Sequence, residues 1–283
     1  MDRLSDLFDR FRMRAHLFHS GRLCGIQDFE AVPGRGFLHI LRQGALEVRE
    51  PGPAGRAAGF SIDQPSLLFY PRARAHQFRH RLQDGSDFTC ASIEFEEGDR
   101  HPLVRALPNV LVVPLDAIDG LDDVLRLLFA ETDRVRCGHR LVADKLFEVA
   151  MIQLLRWAMD HPERLGVGRG LIHGFADPQL AKALTAMHAA PGEAWSLASL
   201  AAAAGMSRTA FASKFRQVMD TTPAQYLADW RIAVAKQQLD RGRRLNLIAN
   251  ELGYANATAL SRVFRERVGV SPRDWLARLR DGA

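Results

Sequence analysis

The sequence has no run of about 18 apolar residues in its 283 positions, so no helix is expected to span a membrane. The first fourteen residues alternate charge with Leu4, Leu7, Phe8 and Phe11, an amphipathic helix pattern, and lack the apolar stretch of a secretory leader. A cytoplasmic location with no membrane partner is expected, and disulfides are rare there. Cysteine is scarce: Cys24, Cys90 and Cys137 are the only three, and they start as thiols, metal ligands or redox sensors. Disorder is equally unexpected, because 47% of the residues are hydrophobic and 25% charged, the balance of an ordinary globular chain.

A net charge of +5 conceals an uneven distribution. From Pro178 onward there are 15 Lys and Arg against 8 Asp and Glu, a surplus of 7. Residues 1–177 hold 23 basic and 25 acidic residues, a deficit of 2. A basic C-terminal module joined to a near-neutral one points to a polyanionic partner, although charge alone equally permits a merely soluble basic surface.

Between residues 10 and 112, short apolar runs such as 37–41 and 66–70 lie between Gly/Pro clusters at 33–36 and 51–55, the pattern of a β-sandwich or barrel. Leu121, Val124, Leu125 and Leu128, then Leu141, Leu146, Val149, Ile152 and Leu155, recur at helical spacing and predict two helices broken near Arg136-Cys137-Gly138. Five glycines or prolines between 161 and 174 mark a linker. From Asp177 the pattern is helical to the end. The expected division is a β-rich domain with its helices at 1–160, a linker at 161–176 and an all-α domain at 177–283, an α+β chain.

The helical part repeats itself at an offset of 49 residues. Ser207 matches Asn256, Phe211 matches Leu260, Phe215 matches Phe264, Pro223 matches Pro272 and Tyr226 matches Trp275. Ser207 and Asn256 are good N-caps, with side chains that accept from unsatisfied backbone N–H groups. Phe211, Phe215 and Val218 share one helical face, as do Leu260, Phe264 and Val268. Thr222-Pro223 and Ser271-Pro272 each place proline at a first helical position, where its missing N–H costs nothing. A short apolar helix ending at glycine precedes each capped helix, at 197–204 before Gly205 and at 247–252 before Gly253. Helix, glycine turn, capped helix is the helix-turn-helix pattern. A helix from Pro223 to about Arg241 joins the two units; its nineteen residues span roughly 28 Å, near one turn of DNA. A helical bundle with two similar hairpins and no ligand is the plainer alternative.

The stretches at 205–216 and 222–227, then 248–254, Ser261-Arg262-Val263-Phe264 and Gly269-Val270-Ser271-Pro272, resemble the AraC/XylS family of transcription regulators over about 100 residues. The resemblance implies sequence-specific binding to double-stranded promoter DNA, with RNA polymerase as a partner and activation as the usual output. It places base contacts on Thr209, Ala212 and Ser213 in the first recognition helix and on Thr258 and Arg262, with Ser261 beside them, in the second. Arg208, Lys214, Arg216 and Arg265 are expected at phosphates. The family often has longer polar residues where Ala212 and Ser213 stand.

Residues 37–50 and 65–76 resemble the cupin-like sensor domains of these regulators. The implied fold is a cupin-like β-barrel with a helical dimerisation segment, followed by an all-α double helix-turn-helix domain. Residues 121–157, with Leu125 and Leu128 facing the partner, would form a homodimer; a helical pair covering the barrel is the alternative. Metal-using cupin enzymes carry a dense His-X-His with a downstream Glu, and here only Phe37-Leu38-His39 stands, with no glutamate at a suitable spacing. An enzymatic role, a metal cupin with a DNA-binding tail, is therefore disfavoured. Cys24, His39, His76 and Cys90 remain on expected strands, a donor set suited to zinc, or two buried thiols and two unrelated histidines. Leu23-Cys24-Gly25 and Thr89-Cys90 also resemble the AraC-type regulators that respond to reactive chlorine species, which implies a redox role for Cys24 and Cys90. A small organic effector bound in the barrel is the competing signal.

Overall fold

The computed structural model of the chain describes residues 2–51, 58–80 and 85–281, so residues 52–55 of the second Gly/Pro cluster lie outside the described residues. The chain divides into two compact units, Phe11–Val167 and a second made of Met1–Arg10 with Gly168–Ala283.

The first unit holds two antiparallel sheets. One runs in the order β1 (Met13–Leu23), β8 (Ser86–Phe95), β3 (Arg35–Gln43), β6 (Ser66–Tyr70), β9 (Leu111–Pro114). The other runs β2 (Ile26–Phe29), β7 (His76–His80), β4 (Leu46–Glu50), β5 (Ala58–Ile62). Side chains alternate across a strand, so β4 buries Leu46, Val48 and Glu50 and β7 buries His76, Phe78 and His80. Leu41, Leu68, Phe88 and Cys90 of the first sheet meet Leu46, Val48, Ile62 and Phe78 of the second to form the barrel core. Each large apolar side chain there contributes roughly 1.5–3 kcal/mol by leaving water.

α2 (Pro102–Ala106) lies between β8 and β9, and α3 (Leu121–Asp133) and α4 (His139–Asp160) follow the strands. The expected helix break at residues 136–138 falls between them. Asp144 Oδ1 on α4 accepts the Leu17 N–H of edge strand β1 at 2.7 Å, which gives that backbone donor a partner. Leu121, Val124, Leu125 and Leu128 are buried inside this unit. That corrects the expectation that Leu125 and Leu128 face a partner chain: their stripe is used within the fold. The outward apolar residues are Leu127, Leu141, Val142 and Val149, exposed by 52%, 74%, 43% and 40%.

The second unit begins with α1 (Ser5–Arg10). Leu7 is fully buried, the Arg3 guanidinium donates to the Phe175 carbonyl, and that of Arg10 donates to the carbonyls of His188 and Ala189. The amphipathic pattern at 1–14 told that this segment packs but not on what. α5 (Leu171–Ala176) follows, with Leu171, Ile172 and Phe175 buried, so part of the expected linker is a packed helix. Then come α6 (Pro178–Ala189), α7 (Leu197–Ala203), α8 (Arg208–Met219), α9 (Pro223–Asp240), α10 (Leu245–Glu251), α11 (Ala257–Val268) and α12 (Pro272–Asp281).

The repeat is geometric as well as sequential. Gly205 and Gly253 turn the chain with φ of +65° and +74°. The N–H after each glycine, of Met206 and Tyr254, reaches back to the carbonyls of Ala201 and Ala249, both at 2.9 Å. Ser207 accepts from the Ala210 N–H and Asn256 from the Ala259 N–H, at 3.3 and 2.9 Å. Thr222 and Ser271 cap α9 and α12 in the same way. Phe211, Phe215, Leu260 and Phe264 are fully buried.

Candidate functional site

With their apolar stripes turned inward, α8 and α11 expose their opposite faces. On α8, Arg208, Thr209, Ser213 and Arg216 are exposed and Ala212 is half-buried. Thr209, Ala212, Ser213 and Arg216 line a cleft of about 540 Å³, walled by Trp195, Leu197, Leu200 and Leu227. Lys214 departs from its expected role. Its Nζ lies 2.6 Å from Asp177 Oδ2 and donates to Gln179 Oε1 at 3.0 Å, so it ties α8 to the start of α6. The phosphate contact assigned to Lys214 is corrected accordingly; the fold holds its ammonium elsewhere. Asp177 also caps α6, accepting from the Gln179 and Leu180 N–H groups. Although burial opposes it, these donors and Lys214 hold its carboxyl below the usual range. On α11, Thr258, Arg262 and Arg265 are exposed and Ser261 is half-buried. Arg267, next on that helix, pairs with Asp229 at 2.9 Å.

In the barrel, His39 Nε2 and His76 Nε2 lie 3.0 Å apart, both buried. His76 Nδ1 faces the Arg74 carbonyl at 3.0 Å, so it carries the proton and its Nε2 accepts from His39 Nε2–H. His39 Nδ1 is then a bare acceptor with no hydrogen-bond partner among the described residues. Burial holds His39 well below its ordinary value, helped by its two histidine neighbours, and holds His76 at about 4.

Cys90 sits opposite His39 in the β3–β8 register and opposite His19 in the β1–β8 register. Its thiol is fully buried in the apolar core, and burial pushes its pKa up, the reverse of the thiolate-favouring surroundings a reactive cysteine needs. Cys24 is exposed and packs beside Gly85, five residues along β8 from Cys90. At 3.4 Å per residue that is about 17 Å. The expected quartet of Cys24, His39, His76 and Cys90 is therefore not assembled, and no group of three or more potential metal ligands occurs among the described residues. Cys24 lies just past the end of β1, off the strands on which it was expected, and the β1–β8 register sets it five residues from Cys90. Cys137 is exposed between α3 and α4.

His76 instead opens onto a cleft of about 530 Å³ shared with Phe29, Glu50, Arg49 and Arg79. Its ring stacks between Phe29 and Tyr70, at centroid distances of 4.8 and 4.0 Å. Arg74 Nη2 lies 2.8 Å from Glu50 Oε2, whose carboxyl is almost buried, and Glu50 Oε1 has no hydrogen-bond partner among the described residues. Glu50, Arg74 and Tyr70 escaped the sequence reading. The signal available was the alternation Leu46, Val48, Glu50, which places a carboxylate on an inward face.

An exposed pair of capped recognition helices on a basic helical unit, attached to a two-sheet barrel, defines a DNA-binding transcription regulator with a cupin domain. Residues 2–160 match the Cupin family model and residues 200–278 match the Helix-turn-helix domain model. An AraC-like transcription regulator of Streptomyces antibioticus is 33% identical, over 97% of this chain and 98% of its own length. Another, of Streptomyces lividans, is 31% identical over 72% of this chain and 68% of its own. The RCS-specific HTH-type transcriptional activator RclR of Escherichia coli K12 is 25% identical, over 89% and 90%. The chain belongs to the AraC family of transcription regulators.

Proposed function

We propose that this regulator grips promoter DNA with the outward faces of α8 and α11 and that its barrel takes a small organic effector in the cleft beside His76. The observation that carries the first part is the duplicated capped helix, each copy with one buried stripe and one exposed face. Arg262 and Arg265 on α11, and Arg208, Thr209, Ala212, Ser213 and Arg216 on α8, are among the contacts. Arg262 can bond two acceptors of one guanine, whereas Arg216 and Arg208 meet phosphates. Arg262→Ala is expected to weaken binding to a preferred duplex by about 1–3 kcal/mol and relax its sequence preference. Arg216→Ala should weaken all duplexes alike and flatten the salt dependence. Filter binding at several salt concentrations checks both, and equal, sequence-blind losses would place the interface elsewhere.

The effector reading is supported by the cleft, by Glu50 Oε1, which has no hydrogen-bond partner among the described residues, and by the stacked Phe29–His76–Tyr70 rings. A second reading, oxidant sensing with transcriptional activation, is favoured by exposed Cys24 and by the likeness to RclR. Cys24, not buried Cys90, is then the thiol an oxidant reaches first. Reporter output with and without hypochlorous acid separates the readings. The oxidant reading requires Cys24→Ser to abolish the response and Cys90→Ser to keep it; a Cys24→Ser protein that responds like the wild type sinks it.

A second copy of the chain is the proposed occupant of the outward stripe of α4. Leu141, Val142 and Val149 form an exposed apolar strip, with Lys145 and Glu148 supplying both charge signs beside it. A surface that carries both signs around an apolar strip can meet itself across a two-fold axis.

A further inference from the structure

The two recognition helices present unlike chemistry. The exposed face of α11 carries Arg262 and Arg265, long side chains with several donors. The equivalent face of α8 offers Thr209, Ala212 and Ser213, whose longest reach is one hydroxyl or methyl. Short side chains leave a depression there, the cleft of about 540 Å³, with Leu197, Leu200 and Leu227 in its walls. Leu197 is 43% exposed, so the wall is accessible. Exposed Arg216 lines the depression and exposed Arg208 opens the same helix, and both match the charge of a phosphate backbone.

The major groove offers many hydrogen-bonding atoms but one distinctive apolar group, the C5-methyl of thymine. A largely apolar depression beside a cation is matched by that methyl, whereas the hydroxyls of Thr209 and Ser213 on it can bond any base edge and select none. An arginine with no ion pair among the described residues, such as Arg262, is matched by the O6 and N7 acceptors of guanine. We infer that the two units read different bases: the α8 unit recognises thymine through apolar contact with Thr209 and Ala212, and the α11 unit recognises guanine through Arg262. The inference rests on the DNA-binding reading above and names what each half of that interface selects. α9, whose 18 residues span about 27 Å, joins the units, so the thymine and guanine segments lie roughly one helical turn apart.

Full-length protein is used to enrich a duplex from a random library, and single atoms of that duplex are then removed. Uracil in place of thymine deletes only the methyl; 7-deazaguanine in place of guanine deletes only the N7 acceptor. One uracil in the thymine segment is expected to lower affinity about fourfold, the worth of one buried methyl. One 7-deazaguanine in the other segment should lower it about tenfold or more. Arg262→Ala should erase the 7-deazaguanine penalty and keep the uracil penalty, and the double variant Thr209→Ser, Ala212→Gly, which removes both methyls, should do the opposite. An enriched duplex whose affinity ignores uracil at every position overturns the inference while leaving the DNA-binding reading intact. Failure of folded protein to enrich any duplex overturns both.

Discussion

Between pH 7 and pH 5 the barrel unit is expected to lose on the order of 4 kcal/mol of stability, about 2 kcal/mol from each of two buried histidines. His76 and His101 are both held at about 4, chiefly by burial, against an ordinary 6.5. The Arg74 carbonyl and Glu50 pull His76 back upward and the Arg74 guanidinium pushes it down; the Phe11 carbonyl and Glu96 pull His101 upward, and burial prevails in both. Folded, these rings stay neutral over this range, while in the unfolded chain they take up protons as pH falls below 6.5. Their stabilisation is therefore complete above pH 6.5 and is lost as pH falls from there toward 4. His39 is shifted in the same direction and adds to the loss. Urea denaturation followed at pH 7, 6 and 5 measures it. A barrel transition whose midpoint stays fixed across that range would mean that these rings reach water in the folded protein.

Leu141→Asp should yield a folded monomer with roughly hundredfold weaker binding to a duplex carrying two copies of the preferred site, because two linked contacts become independent ones. Leu141 is 74% exposed, so a carboxylate there costs the isolated chain little. Leu125→Asp is expected to behave differently: Leu125 is 5% exposed, and a charge buried there should disrupt the barrel unit itself. Light scattering reports the mass and circular dichroism the fold. A Leu141→Asp protein that keeps the wild-type mass would remove α4 from the interface.

The helix-turn-helix units were legible because their determinants are local. Ser207, Asn256, Thr222 and Ser271 each act within three or four residues of themselves, and the observed caps fall on them. The barrel was legible as a class, since Gly/Pro punctuation and alternation are also local, but its pairings were not. Cys90 sits on a strand as expected, but Cys24 falls just past the end of β1, beside Gly85, and the register fixed by the whole sheet keeps it five residues from Cys90. Lys214 looked like a free cation because its partner Asp177 stands 37 positions earlier, on another helix. The helical period located α3 and α4 correctly but could not say whether Leu125 and Leu128 face the barrel or a second chain. Both choices bury the same stripe.

The return of the first ten residues to the second unit has a bearing on synthesis. A chain leaves the ribosome from its N-terminus, and segments fold once their partners have emerged. Residues 11–167 are contiguous, so the barrel has all its strands long before the chain is finished. Arg3 and Arg10 must wait for Phe175, His188 and Ala189, more than 160 positions later. The DNA-reading half is thus the last part of the molecule to be completed, and a nascent chain carries its finished barrel before it can hold a promoter.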